Sequence, residues 1–74
     1  GNVVAFRLKD HANNDNWEDI VVVLNANKES VKQTVPEGKY MAVCRNGLIN
    51  LQGLGTLYGP EVTVPAQSAL IIYK

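Results

Sequence analysis

Ile20-Val21-Val22-Val23-Leu24 is a run of five apolar residues, four of them β-branched. Stiffness at χ1 favours a pleated strand over a helix for such a run. Successive side chains of a strand point to opposite faces, so this one is apolar on both sides and needs cover on both. An acidic, Trp-bearing lead-in (Asp15-Asn16-Trp17-Glu18-Asp19) precedes it, and Asn25-Ala26-Asn27-Lys28-Glu29 closes it. The whole chain has 74 residues with which to supply that cover. A chain of this size buries only about 60% of its unfolded surface. The doubly apolar strand therefore implies a compact β-sandwich or a piece of a larger protein.

The remaining segments also read as strands. Val3 to Leu8 places Val4, Phe6 and Leu8 on one face, against Ala5, Arg7 and Lys9 on the other. Asp10 to Asn16 is loop chemistry, since Asn and Asp bond their own backbone. Glu18 to Asn25 is the central strand, and Ser30 to Val35 alternates as a strand with one wet face. Pro36-Glu37-Gly38 turns the chain into Lys39 to Arg45. Asn46-Gly47 predicts a type I′ hairpin into Leu48 to Leu51. Gly53 to Pro60 is too rich in Gly for a long strand and reads as an extended loop with a short pairing. Glu61 to Val64 and Ser68 to Tyr73 are the last strands, separated by a turn at Pro65-Ala66. No window supports a helix of three turns, and turn signals recur about every ten residues. The expected architecture is all-β: a small antiparallel sandwich of about six to seven strands, formed by residues 1–74 as one domain.

Composition narrows the function. Hydrophobic residues at 46% and charged residues at 19% mark a globular chain. Seven basic and seven acidic residues cancel, so no electrostatic footprint for nucleic acid or an anionic membrane exists. The longest apolar run falls far short of the ~20 residues a membrane helix needs. Gly1-Asn2 runs straight into Val3 without a targeting segment, which predicts a chain begun inside a longer protein. Cys44 is the one cysteine, so no internal disulfide forms, and its apolar surroundings predict a buried structural thiol.

Catalytic patterns are weak throughout. Paired-carboxylate hydrolysis needs two converging groups roughly 5–9.5 Å apart. Glu18 and Asp19 are neighbours on a strand and point to opposite faces. Asp10, Asp15, Glu29, Glu37 and Glu61 fall in expected loops or on wet faces. His11 is the only histidine, and no nucleophile elbow surrounds Ser30 or Ser68. The oxygen-rich loop from Asp10 to Asp19 invites calcium, but Ala12 at its third position breaks the EF-hand pattern. No catalytic residue, metal ligand or cofactor site is expected. The aromatic residues remain: Trp17, Tyr40 and Tyr58 are the candidate carbohydrate-binding residues, because their flat faces stack on sugar rings. Packing of Trp17 under a loop or against a neighbouring domain, and of Tyr40 in the core, is the simpler reading.

Val4-Ala5-Phe6-Arg7-Leu8-Lys9-Asp10-His11-Ala12-Asn13, Trp17 to Val22, Asn25 to Glu29 and Val35-Pro36-Glu37-Gly38 together resemble the C-terminal domain of type I pullulanases. Val62 to Leu70 is similar to the last two strands of that domain, although its Val-Pro-x-x-Ser-Ala pattern is shared among amylase-family tails. The resemblance spans nearly the whole chain. Asn25-Ala26-Asn27 departs from it, since a Pro is expected in the middle of that turn. The resemblance implies a β-sandwich that follows a catalytic (β/α)₈ barrel in a glycoside hydrolase cutting α-1,6 branch points. A barrel needs at least ~200 residues, so the acid and nucleophile lie outside this chain. The implied role is a non-catalytic accessory domain whose partner is the barrel of the same parent. An α-glucan-binding module is the alternative, and an independent hydrolase is disfavoured by length and carboxylate geometry. Whether the parent is secreted or cytoplasmic is open.

Overall fold

The computed structural model describes residues 2–9 and 19–74. Its elements are β1 (Val3–Lys9), β2 (Asp19–Asn25), β3 (Val31–Thr34), β4 (Lys39–Arg45), β5 (Leu48–Ile49), β6 (Thr56–Tyr58), β7 (Glu61–Val64) and β8 (Ser68–Tyr73). All pairings are antiparallel. A six-stranded sheet has the order β1-β2-β8-β4-β5, with β6 also paired to β4, and a two-stranded sheet pairs β3 with β7. The all-β sandwich is as expected. Eight strands stand in place of six to seven because the short pairing expected within Gly53 to Pro60 is a strand of its own, β6, while β5 is shorter than the expected Leu48 to Leu51. β2 is interior, but β8 takes the middle of the sheet.

The core lies between the two sheets. Val21 and Val23 from β2, Leu70 and Ile72 from β8, and Tyr40 and Ala42 from β4 meet Val62 and Val64 of β7. Val23, Ala42, Val64, Leu70 and Ile72 are fully buried. Asn25 ties the layers together at one end. Its Nδ2 donates to the carbonyls of Glu29, Val64 and Pro65 at 3.0–3.1 Å, and its Oδ1 accepts from Asn27 N–H at 2.9 Å. This side chain, read from sequence as turn chemistry, is a buried inter-sheet link.

Turn residues behave as their chemistry requires. Asn46 and Gly47 both take positive φ (52° and 81°), the backbone of a type I′ hairpin. Gly59 sits so close to Pro36 that a Cβ would collide with the Pro36 carbonyl. An extra residue bulges β4, because Ala42 pairs with Ile72 but Cys44 pairs with Ile71. The bulge at Val43 turns Cys44 to the same side as Ile71.

Two substitutions test this core. Leu70→Ala should cost about 2–5 kcal/mol, as a fully buried Leu leaves a cavity. Asn25→Ala should cost about 1–3 kcal/mol by removing the donor to the buried Val64 carbonyl and to Glu29 O and Pro65 O. Urea unfolding measures both, and an Asn25→Ala midpoint equal to wild type would contradict the link.

Candidate functional site

The two-stranded sheet covers one face of the large sheet only. Register defines what the other, outer face carries. Phe6 pairs with Val22, Val22 with Ile71, Ile71 with Cys44, and Cys44 with Ile49. Paired residues share a face, so these five form one row across the whole sheet. On one side runs Val4-Leu24-Ala69, and on the other Leu8-Ile20-Tyr73-Met41-Thr56. No charged residue stands in any of the three rows. Val4 is 57% exposed, Phe6 47%, Leu24 44% and Ile49 79%. A shallow depression of about 480 Å³ runs from Leu24 to Ala69 at one end. Among the described residues the outer face is thus a contiguous apolar surface, open at Val4, Phe6, Leu24 and Ile49, half-covered between them and closed at Ile20, which is 6% exposed.

β1 makes the arrangement explicit. Its apolar alternates, Val4, Phe6 and Leu8, face outward, whereas Ala5 and Arg7 lie on the side of the small sheet. A strand that served only the sandwich core would have the opposite alternation. Arg7 instead caps the inner side, its Nη2 and Nε donating to Asp19 Oδ2 and Oδ1 at 2.8 and 3.2 Å. That forked bond holds the exposed Arg7 guanidinium above its usual pKa. It also occupies Asp19, the only buried carboxylate among the described residues. Glu29, Glu37 and Glu61 are exposed on separate segments. Among the described residues no three His, Cys, Asp or Glu side chains gather as a metal site would require.

Trp17 lies outside the described residues, as do His11 and the rest of Asp10–Asn16, the segment expected to be a loop. Tyr40 and Tyr58, the two candidates within them, are not brought together. Tyr40 is 1% exposed, its ring in the core and its hydroxyl donating to Pro36 O at 2.7 Å. It has no open face to offer a sugar. Tyr58 is 64% exposed. Because Tyr40 pairs with Leu57 and Tyr58 with Lys39, the two tyrosines point to opposite faces of the sheet. Lys74 Nζ stands 5.1 Å from the Tyr40 ring centroid and donates to Glu37 O. Cys44, expected to be buried, is half-buried in the outer row.

Similar proteins place this geometry in context. The family model described as "Pullulanase, all-beta domain" matches residues 1–47. Pullulanase from Bacillus acidopullulyticus is similar in structure, with a TM-score of 0.91 and 41% identity over 99% of this chain. Pullulanase type I from Bacillus subtilis, solved in complex with maltose, gives a TM-score of 0.80 and 26% identity over 96% of this chain. The chain spans only 9% and 10% of those two proteins.

Tyr40 yields a pH prediction. Burial raises its pKa, with the Asp19 charge adding and Arg7 opposing. A raised folded value means that the native state holds this proton more tightly than the unfolded chain. The contribution is complete below about pH 10, the unfolded tyrosine value, and lost as pH climbs through the folded one. Urea midpoints measured from pH 8 upward should therefore fall above about pH 10, and Tyr40→Phe should flatten part of that fall. An unchanged slope in Tyr40→Phe would contradict the assignment.

Proposed function

Since the chain belongs to the pullulanase all-β domain family, we propose that it is a non-catalytic accessory domain of a pullulanase-type, α-glucan-debranching glycoside hydrolase. The outer face of the large sheet carries this reading: three contiguous apolar rows without a charge, in which the described residues leave Val4, Phe6, Leu24 and Ile49 exposed. The domain would lie with that face against the rest of its parent chain, where the catalytic barrel belongs. Two considerations support the partner. Relatives of about tenfold greater length contain the matching domain, and no converging acid pair exists among the described residues.

Physically, docking would remove Val4, Phe6 and Leu24 from water. Full burial of such side chains from water is worth about 1.5–3 kcal/mol each, and with these about half covered already docking gains roughly half of that. The tether makes association intramolecular, so the cost of bringing two bodies together is largely met beforehand. Such a domain raises the stability of its parent without touching the reacting sugar.

Removal of residues 1–74 from the parent should lower its Tm by several degrees, with hydrolysis surviving below the new melting point. Leu24→Asp in the intact parent should reproduce most of the loss, because it places a charge in the buried seam. An unshifted Tm in both would refute the docking role. A second reading, glucan contact, rests on the open ring of Tyr58 together with Trp17. For that reading Tyr58→Ala in the parent must raise KM for a maltooligosaccharide-branched substrate, and an unchanged KM refutes it.

A further inference from the structure

The hairpin at residues 45–51 is apolar in a way that a flat seam does not explain. Leu48 and Ile49 are adjacent in β5, so their side chains leave opposite faces of the sheet. Ile49 continues the outer row through Cys44, while Leu48 stands opposite Arg45 on the other side. Both are widely exposed, at 79% and 62%, and Leu51 just beyond is 72% exposed. From Met41 to Tyr58 the only charged residue is Arg45. Its Nη1 donates to Leu54 O at 3.3 Å, back toward the domain. Solvent-facing edge strands ordinarily carry charge or Pro to stop stray pairing, and this one carries neither.

A flat partner can cover one face of a hairpin. Covering Leu48, Ile49 and Leu51 together needs walls on both sides. We infer that the hairpin tip inserts into a concave apolar groove on the remaining part of the parent chain and is enclosed there on both faces. The proposal rests on the docking reading above and adds the shape of the partner: a flat seam under the sheet, and a slot at its β5 end. Two observations favour the parent chain as the occupant. The tip is continuous with the outer rows, and nine-tenths of the length of the matching relatives lies outside this domain. A slot would also fix the direction of docking, which a flat apolar face leaves loosely specified.

Thiol labelling of the intact parent tests this. Leu48→Cys, Ile49→Cys and Leu24→Cys are made singly in a Cys44→Ala background and treated with a maleimide, the label being located by peptide mass spectrometry. Labelling at both 48 and 49 should be at least about tenfold slower than in the denatured chain, as expected for enclosed side chains. Protection at 49 but not 48 would overturn the slot and leave the flat seam. Free labelling at 48 and 49 with protection at 24 would overturn the slot alone. Free labelling at all three would defeat the docking role as well. Protection that disappears on dilution would assign the cover to a second copy of the chain and overturn the proposal. As a check independent of cysteine, Leu48→Asp should lower the Tm of the parent as Ile49→Asp does, although Leu48 faces away from the seam. An unshifted Tm in Leu48→Asp would also overturn it.

Discussion

Unequal cover of the large sheet governs everything else in this domain. Six strands present apolar side chains on two faces, and two short strands, β3 and β7, cover one of them. Burial of Val21, Val23, Leu70 and Ile72 against Val62 and Val64 accounts for the inner face. The side chains of Val4, Phe6 and Leu24 then remain about half exposed among the described residues. Large apolar patches on one surface mark an interaction site in soluble proteins. On the proposed reading, such a domain is stable in part through what it rests on.

Polar groups are placed in agreement with that division. Asn25 and the Arg7–Asp19 pair sit on the inner side, where they close the two ends of the sandwich. Asn25 donates to three carbonyls, of Glu29, Val64 and Pro65, and so joins β2 to the turn and to β7. Arg7 and Asp19 neutralise one another across the first two strands. Neither feature converges on an open cleft as a catalytic group would. The chemistry of the parent, on this reading, is done elsewhere.

Much of this was legible in the residues, and the physical reasons for the rest are specific. The β-branched run at Ile20–Leu24 declared a strand apolar on both sides, and Asn46-Gly47 declared its hairpin. The alternation of Val4, Phe6 and Leu8 was also visible, but alternation does not say which side the small sheet will cover. Only the register with β2 places those residues outside. The bulge at Val43 has no local signal, because Met41-Ala42-Val43-Cys44 reads as an unbroken strand. Leu48 to Leu51 read as a full strand, yet pairing ends at Ile49 as Asn50 N–H closes onto Val43 O. Tyr40 was a sugar-stacking candidate by residue type, whereas its parity with Ala42 puts it in the core. Trp17 lies outside the described residues, so its role rests on sequence alone.

The decisive quantity is the solvent accessibility of Phe6 and Leu24 within the intact parent enzyme. Hydroxyl-radical footprinting reads it directly, with the denatured parent as the reference. Strong protection of both side chains relative to the denatured chain, beyond what their 47% and 44% exposure in the domain gives, is expected if the outer face is a seam. Oxidation of Phe6 and Leu24 at rates fitting their exposure in the domain alone would contradict it.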